Sequence, residues 1–298
     1  KVNKGDLFVS IKGEKFDGND FITEAISRGA KVVIYSGKTQ ENKKVIFLKC
    51  NDTRNILAKL SASYYKNKPK NIIAVTGTNG KTSVSDFFYQ IFKLQGKKSG
   101  FIGTLGLRKN KSLQRRNLTT LDSLTLNRDL EEMKLSGINN VIIEASSHGL
   151  KQNRLDGLLF DVGIFTNFSH DHLDYHKNMK NYLKSKLYLF NKLIKKKGNI
   201  ITDAVIPQQK QIRKISIKKK IKLNLIFEKK GLELISHKFS NEKQLLQIRL
   251  NKSIYLIEIN LIGKIQIKNI LMAILAAHKT GLKFEKIIKV IHKLKPVK

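Results

Sequence analysis

Disulfide bonds, cysteine-rich zinc sites and membrane spans are excluded by what this sequence lacks. Cys50 is the single cysteine among 298 residues, so neither an internal disulfide framework nor a four-cysteine zinc site can form. No apolar run approaches the roughly 20 residues that span a bilayer, and the N-terminus carries no secretory signal. These absences predict a protein of the reducing cytoplasm, without a membrane partner.

Acidic residues are also scarce. The chain has 23 Asp and Glu against 58 Lys and Arg, a formal net charge of +35. Such an excess is typical of nucleic-acid-binding proteins, but the lysines are spread along the whole chain, as in proteins from AT-biased genomes. The densest basic run comprises Lys210, Arg213, Lys214, Lys218, Lys219, Lys220 and Lys222. We interpret this run as solvent-exposed surface and expect no nucleic-acid partner, with polyanion binding as the alternative.

The chain divides into two segments that differ in their sequence pattern. A length of 298 residues and a hydrophobic fraction of 41% suffice for about two domains. Residues 1–68 resemble a small α/β unit. Its predicted strands are Leu7–Ile11 and Lys31–Tyr35, and its predicted helices are Phe21–Arg28 and Asn51–Tyr65, the second helix being capped by Asn51 or Asp52. The polar stretch Asn67–Lys70 interrupts this pattern. We therefore predict a boundary there and a second domain over residues 69–298.

The second segment alternates strands and helices. The predicted strands are Asn71–Thr76, Val141–Ile143 and Val162–Phe165, and the predicted helices are Thr82–Leu94 and Leu124–Leu135. Strands separated by helices predict an α/β domain with a mostly parallel sheet flanked by helices. Between residues 200 and 262, shorter alternating stretches indicate an antiparallel extension. Two helices, Asn269–Thr280 and Phe284–Leu294, are predicted at the end.

A glycine-rich loop carries the strongest functional signal. The strand Asn71–Thr76 leads into Gly77, Thr78, Asn79, Gly80, Lys81 and Thr82, where a helix begins. In this context backbone N–H groups cradle phosphates, the lysine meets the β and γ oxygens, and the threonine hydroxyl ligates Mg²⁺. The loop is shorter than the usual GxxxxGK[ST] pattern, because Val75 stands where the first glycine would be. We predict a P-loop-type site for nucleotide phosphates.

Two further polar stretches directly follow predicted strands. Glu144 stands where the strand 141–143 ends, and a stretch with three histidines, His170, His172 and His176, follows the strand 162–165. Ligands of an open parallel sheet bind beyond the carboxyl ends of its strands, so three loops should converge at one edge. Three histidines together with two aspartates suggest a metal or phosphate site. A phosphate loop with hard oxygen donors favours Mg²⁺ over zinc, and Glu144 is a candidate ligand.

Several motifs together carry a family resemblance. They are Gly5–Phe8 with Asp17 and Gly18, Gly77–Thr82, Thr119 and Thr120, Glu144–His148 with Gln152 and Arg154, Thr166–His176, and Tyr182–Lys186. In this order they resemble the Mur ligase family, the ATP-dependent amide ligases of peptidoglycan precursor synthesis. The resemblance is strongest to the branch that adds meso-diaminopimelate or L-lysine as third amino acid to UDP-N-acetylmuramoyl-L-alanyl-D-glutamate.

The resemblance implies roles for the matching positions. The first domain is similar to the family's uridine-nucleotide domain, with Glu14, Lys15 and Phe16 near the UDP moiety. The positions that hold the muramoyl dipeptide are Thr119, Thr120, Ser146, Gln152 and Arg154. The catalytic and metal-binding positions are Lys81, Thr82, Glu144, His172 and Lys186. Lys186 matches a lysine that CO₂ converts to an anionic carbamate, and Asn269 matches a position near the adenine of ATP.

The implied reaction is ATP-dependent amide formation. Transfer of the γ-phosphate to the substrate carboxylate would give an acyl phosphate, which the incoming amine attacks. The sequence departs from the family at Leu118, where asparagine is common, and at Ile265 and Gln266, which replace Phe-Asn. It contains no Asp-Asn-Pro-Arg selector, so we expect this chain to be part of a longer protein and to lack the C-terminal amino-acid-binding domain. We also expect a monomer. A folylpolyglutamate-type ligase and a basic P-loop nucleic-acid-binding protein are the alternatives.

Overall fold

Two β-sheets organise the chain. The computed structural model describes residues 2–13, 15–39, 42–109, 112–240 and 243–297. The smaller sheet has three parallel strands, β1 (Leu7–Val9), β2 (Val32–Tyr35) and β3 (Ile46–Lys49). A 3₁₀ turn (Gly18–Phe21) and α1 (Ile22–Ser27) connect its first two strands, and α2 (Thr53–Tyr64) follows its third. Asp52 caps α2, as predicted, and accepts a 2.9 Å hydrogen bond from Asn55 N.

The larger sheet has eleven strands. They are β4 (Asn71–Thr76), β5 (Gly100–Gly103), β6 (Gly106–Lys109), β7 (Ser112–Gln114), β8 (Asn140–Glu144), β9 (Phe160–Phe165), β10 (Ile194–Asp203), β11 (Lys222–Ile226), β12 (Leu232–Ser240), β13 (Lys243–Leu250) and β14 (Ser253–Ile259). Their spatial order is β14-β13-β12-β11-β10-β9-β4-β8-β5-β6-β7. The strands from β12 to β5 are parallel to their neighbours, whereas the pairs β12–β13, β13–β14, β5–β6 and β6–β7 at the two ends of the sheet are antiparallel.

Helices cover both faces of the large sheet, which confirms the predicted architecture. They are α3 (Lys81–Leu94), α4 (Ser123–Leu135), α5 (Ser147–Lys151), α6 (Leu173–His176), α7 (Met179–Tyr188), α8 (Gln209–Lys219), α9 (Lys264–Lys279) and α10 (Phe284–Ile288). The helices α3 and α9 share one apolar core, and α4 belongs to a second core with the π turn Leu189–Leu193 that ends α7. No helix in the described parts of the chain is both long and apolar enough to cross a membrane.

Several elements differ from the sequence prediction. The antiparallel extension begins at β12 rather than at residue 200, because β10 and β11 are parallel and joined by α8. That helix buries only Ile212 and Ser216, so its apolar periodicity is weak. The last helix ends at Ile288 instead of Leu294 and is followed by a 3₁₀ turn. The strand β3 has exposed apolar residues and lacked a clear alternating pattern.

The helix α2 lies against the large sheet's helices as well as beside the small sheet. It packs on α4, and Ala58 within it is fully buried. A Cβ on Gly157 would lie 3.1 Å from the Ala58 carbonyl oxygen and 2.7 Å from the Ala62 Cβ. Asn153 donates a 2.6 Å hydrogen bond to Asp52. These contacts hold the small α/β unit against the larger one.

Candidate active site

The glycine-rich loop joins β4 to α3 at the carboxyl edge of the sheet. Gly77 and Gly80 adopt φ values of 146° and 85°, which side-chain-bearing residues rarely take. A Cβ at Gly77 would lie 1.9 Å from Thr166 Oγ1, and one at Gly80 would lie 2.6 Å from Asn269 Oδ1. Glycine is therefore required at both positions by backbone conformation and by space. Asn269, predicted near adenine, lies on α9 against this loop.

Residues after β9 hold the loop in place. Thr78 N donates to the Asn167 carbonyl oxygen at 3.0 Å, and Asn79 N donates to Asn167 Oδ1 at 2.9 Å. Thr166 Oγ1 donates to the Asn79 carbonyl oxygen at 2.6 Å. The strands β9 and β4 are neighbours, so their loops meet as the convergence argument predicted.

Lys81 folds back over the loop that precedes it. Its ammonium group donates to the carbonyl oxygens of Gly77 at 3.0 Å and Thr78 at 2.8 Å. Burial lowers the pKa of Lys81, and the nearby carboxylates of Glu144 and Asp171 partly oppose this shift. The side chain of Lys81, the first residue of α3, is thus held against the carbonyl groups of the glycine-rich loop.

Glu144, at the end of β8, is fully buried beside the loop. Its carboxylate accepts hydrogen bonds of 3.1 Å from Thr104 N, Thr104 Oγ1 and Thr82 Oγ1. Burial raises the pKa of Glu144, whereas these hydrogen bonds and Lys81 favour its charged form. A Cβ on Gly103 would lie 2.3 Å from Glu144 Oε1, so glycine at the end of β5 makes room for the carboxylate.

Thr104 is a site residue that the sequence reasoning missed. It follows β5, and β5 pairs directly with β8 in a parallel arrangement. The rule that ligands gather beyond the carboxyl ends of parallel strands would have selected it, had the short strand Gly100–Gly103 been predicted.

Lys186 projects from α7 into the protein and is only 1% exposed. Its amine donates a 2.7 Å hydrogen bond to the Gly77 carbonyl oxygen and lies 4.4 Å from the centre of the Tyr182 ring. Desolvation and the positive charge of Lys81 lower the pKa of Lys186 to about 6, against a partial opposing effect of Asp171. The structure thus brings one particular lysine of this basic chain to the glycine-rich loop, in an environment that favours the neutral amine.

The predicted histidine-rich stretch is divided by the fold. His172 is exposed, has a φ of 52°, and places Nε2 3.4 Å from Asp171. His176 is 1% exposed, and neither of its ring nitrogens has a hydrogen-bond partner among the described residues. Both rings contact His148 edge to face, at centroid distances of 5.0 and 5.5 Å. Within the described ranges no three His, Cys, Asp or Glu side chains group closely enough to hold a metal, so the stretch forms no metal centre by itself.

A cavity of about 920 Å³ opens between the two units beside this site. All five residues predicted to hold the dipeptide substrate line it: Thr119, Thr120, Ser146, Gln152 and Arg154. From the small unit it is lined by residues that include Lys15, Phe16 and Arg54. Glu14, predicted beside them, lies outside the described residues. His172 lines the cavity as well, so the cavity reaches the edge that carries the loop.

Hydrogen bonds connect the cavity wall to the loop edge. Thr120 Oγ1 donates to the Glu144 carbonyl oxygen at 2.8 Å and contacts Ser146 Oγ at 2.9 Å. Arg154 donates to the Thr120 carbonyl oxygen at 2.7 Å and to Gln152. The guanidinium is thereby fixed at the cavity, where it suits carboxylate or phosphate oxygens.

Family sequence patterns match most of the chain. The pattern described as "Mur ligase middle domain" matches residues 75–277. The chain belongs to the Mur ligase family. A second pattern, "Mur ligase family, catalytic domain", matches residues 1–65. The two matches cover the small α/β unit, the phosphate loop and the cavity walls of this Mur ligase.

Relatives of known name are longer than this Mur ligase chain. The UDP-N-acetylmuramoyl-L-alanyl-D-glutamate–2,6-diaminopimelate ligase of Rickettsia prowazekii (strain Madrid E) is 36% identical over 302 residues, covering 100% of this chain and 62% of the relative. A solved structure of a ligase with the same description superposes with a TM-score of 0.90 at 25% identity, covering 100% of this chain and 62% of that one. The chain therefore spans about three fifths of these relatives.

A more distant structure shares the fold. The MurF ligase from Thermotoga maritima in complex with ADP superposes with a TM-score of 0.63 at 20% identity, covering 100% of this chain and 65% of that one. At this identity the likeness concerns the fold alone.

Proposed function

We propose that this chain is the UDP-substrate-binding and ATP-binding part of an ATP-dependent amide ligase. Its reaction adds meso-diaminopimelate or L-lysine to UDP-N-acetylmuramoyl-L-alanyl-D-glutamate. A carboxylate is a poor electrophile, so amide formation needs prior activation, here by phosphoryl transfer from ATP. The observation that carries the proposal is the hydrogen-bonded contact between the cavity wall at Thr120 and the buried Glu144 beside the phosphate loop.

The loop residues bind and orient the nucleotide in this proposal. Backbone N–H groups around Gly77 and Gly80 donate to phosphate oxygens, and the α3 N-terminus adds a favourable dipole. Lys81 exchanges its two carbonyl acceptors for phosphate oxygens and neutralises their charge. Arg154 and the hydroxyls of Thr119 and Thr120 orient the substrate, so that its carboxylate faces the phosphate. Such positioning and charge neutralisation supply most of the catalysis of phosphoryl transfer.

The side-chain oxygen atoms beside the loop are suitable ligands for Mg²⁺. Thr82 Oγ1 and Glu144 Oε2 are hard oxygens 3.1 Å apart, and Mg²⁺ in nucleotide sites takes one or two protein ligands together with phosphates and water. Thr82 and Glu144 would hold one ion, and His172 with a carbamate on Lys186 would hold a second. Bound Mg²⁺ neutralises charge on the transferring phosphoryl group.

Carbamylation of Lys186 is supported by its burial. A neutral amine is the form that adds CO₂, and desolvation lowers the pKa of Lys186 to about 6. In ¹³C-bicarbonate the chain should give a carbamate carbon signal that disappears in Lys186→Met. It should persist in Lys184→Met, which changes an exposed lysine of the same helix. An unchanged carbamate signal in Lys186→Met would contradict the assignment.

The two alternatives are separated by binding. A folylpolyglutamate-type ligase is not expected to contain the N-terminal motif of residues 5–20, where the family pattern also matches. A nucleic-acid-binding protein would account for the net charge of +35 but leaves Glu144 and Lys186 without a role.

The deciding experiment is a pair of titrations across a salt series, one with UDP-N-acetylmuramoyl-L-alanyl-D-glutamate and one with a duplex oligonucleotide. Phosphate-backbone binding weakens steeply with salt, whereas a substrate held in the cavity should be less sensitive. Arg154→Ala should weaken the nucleotide-sugar affinity, and Arg213→Ala, which changes an exposed arginine on α8, should not. Tight oligonucleotide binding without any binding of the nucleotide-sugar would overturn the proposal.

A further inference from the structure

A lysine cleft lies at the amino-terminal ends of β9, β10 and β11. Its volume is about 510 Å³, and its lining includes Lys192, Lys196, Lys197, Lys218, Lys219 and Lys220. Ile194, which opens β10, and Ile221, which precedes β11, also line it. The phosphate loop follows the carboxyl end of β4 in the same parallel sheet. The lysine cleft is therefore at the opposite edge from the proposed active site.

The charge of the lysine cleft is not neutralised within the described parts of the protein. All six lysines are exposed, no acidic residue lines the cleft, and none of the six forms an ion pair with another described residue. Asp161, in β9, is already paired with Lys195 at 2.8 Å. The adjoining exposed side of α8 adds Lys210, Arg213 and Lys214. A surface with one sign of charge attracts ions of the opposite sign.

Exposed apolar side chains accompany these cations. Ile217, on α8 immediately before Lys218, is 72% exposed, and Leu159, immediately before β9, is 53% exposed. The first residue of β9, Phe160, pairs with Ile194 of the cleft, so Leu159 borders it. Basic residues combined with exposed apolar ones are typical of segments that lie at a membrane interface.

We propose that the lysine cleft and the exposed side of α8 dock onto a bilayer surface rich in anionic phospholipids. Lysine supplies hydrated point charges that suit a diffuse layer of headgroups, whereas arginine is preferred for bidentate recognition of single phosphates, and the cleft lining contains no arginine among the described residues. Single-stranded nucleic acid is bound largely by stacking on exposed aromatic rings. Phe190, the aromatic residue in the lining, is 1% exposed.

This inference revises the expectation that the chain has no membrane partner. That expectation rested on the lack of an apolar run long enough to span a bilayer, and a surface contact requires no such run. Docking through the amino-terminal edge of the sheet leaves the carboxyl-terminal edge and the 920 Å³ cavity open to small substrates.

The test is sedimentation of the 298-residue chain with vesicles of phosphatidylcholine alone or mixed equally with phosphatidylglycerol, at several salt concentrations. We expect binding only to the mixed vesicles, weakening as salt rises. The triple variant Lys196→Gln, Lys218→Gln, Lys219→Gln should bind roughly 100-fold more weakly. The control triple variant Lys283→Gln, Lys286→Gln, Lys289→Gln removes the same number of exposed charges elsewhere and should bind nearly as well as the unaltered chain.

Three results would overturn the proposal. The first is an equal loss of binding in the two triple variants, which would indicate attraction by net charge alone. The second is the absence of binding to the mixed vesicles. The third is displacement of the chain from the vesicles by duplex DNA, if that DNA needs the cleft lysines to bind. Ile217→Ser tests the apolar contribution separately. It should weaken the binding that remains at high salt, where charge attraction is screened.

Discussion

Three ionisable side chains of the candidate active site, Glu144, Lys186 and His176, are buried. Burial shifts all three towards their neutral forms, because it raises the pKa of Glu144 and lowers the pKa values of Lys186 and His176. For Glu144, hydrogen bonds from two threonines and the charge of Lys81 partly oppose this rise in pKa. Burying an unpaired charge costs far more than burying a neutral polar group. Burial at this site therefore opposes charge on all three groups before any ligand arrives.

Lys81 should contribute to nucleotide affinity and little to the fold. Its ammonium group donates hydrogen bonds to the carbonyl oxygens of Gly77 and Thr78 in its own loop, and a hydrogen bond to a charged phosphate is worth about 1.5–3 kcal/mol. Lys81→Ala should raise the Kd for ATP·Mg²⁺ by roughly 10- to 100-fold, measured by calorimetry. Lys70→Ala, at an exposed lysine before β4, is the control and should leave the Kd unchanged. Equal Kd values for ATP·Mg²⁺ in the unaltered chain, Lys81→Ala and Lys70→Ala would contradict phosphate binding by this loop.

His176 should make stability depend on pH in the acidic range. Burial, followed by the positive charges of His148, Lys151 and Lys186, lowers the pKa of His176 from 6.5 to about 4. The unfolded chain binds the proton more tightly, so the free energy of unfolding rises as pH increases from about 4 to 6.5 and is lost as pH falls through that window.

The measurement is urea unfolding at several pH values within that window. His176→Phe keeps a ring against His148 and Tyr182 but cannot titrate, so its stability should vary less with pH than that of the unaltered chain. His170→Phe, at an exposed histidine, should retain the original dependence. If the unfolding free energy of His176→Phe changes with pH as steeply as that of the unaltered chain, His176 is ruled out as a source of acid sensitivity.

The turn from β4 into α3 is the element most constrained by its surroundings. At Gly77 an alanine would combine an unfavourable φ of 146° with a Cβ only 1.9 Å from Thr166 Oγ1. Gly96, just after α3, also has a positive φ, of 67°, but a Cβ there would meet no atom of the described residues within 4 Å.

Substitution of these two glycines separates backbone strain from crowding. Gly96→Ala should cost about 1 kcal/mol of unfolding free energy from backbone strain alone. Gly77→Ala should cost at least about 2 kcal/mol because crowding adds to strain, and it should also weaken ATP binding. Thermal unfolding and calorimetry measure the two effects. Similar stabilities with unimpaired ATP binding would mean that the loop readily rearranges.

At the scale of the whole molecule, the cavity depends on how the two units are held together. Asp156 is a shared contact: it accepts a hydrogen bond from Asn55 of α2 and one of 2.8 Å from Tyr188 of α7. Lys186 lies on the same helix as Tyr188. The packing that holds the small unit therefore reaches the helix that carries the proposed carbamate.

The 298-residue chain should bind ATP·Mg²⁺ and the UDP-dipeptide without forming an amide. It spans 62% of the Rickettsia prowazekii relative, and the family resemblance assigns the amino-acid pocket to a further domain. Closure of such a domain would also shield the acyl phosphate from water. The assay combines the chain with ATP, UDP-dipeptide and meso-diaminopimelate or L-lysine, and follows phosphate and tripeptide separately. The longer relative is the positive control, and tripeptide formation by this chain alone would refute the prediction.

The sequence by itself determined part of the local structure, above all the strand and the turn that form the glycine-rich loop. The strand Asn71–Thr76 has the bounds that were predicted, since a short apolar run before glycine has few other possible structures. The meeting of the loops after β4, β8 and β9 could also be predicted, because neighbouring parallel strands place their carboxyl ends at one edge. The Mur ligase resemblance followed from the order of the motifs.

Only the tertiary structure decided which side chains meet in the site and in which direction burial shifts their pKa values. Thr104 contacts Glu144 because it follows β5, a short strand that the sequence pattern does not reveal. Among the chain's own physical features, burial beside Gly77 is what separates Lys186 from the other lysines, since the sequence had singled it out by family resemblance alone. Likewise, the lysine cleft combines residues 192–197 with residues 218–220 from a helix that the periodicity did not reveal. Sequence periodicity reports the local backbone, whereas desolvation and contact depend on segments far apart in the chain.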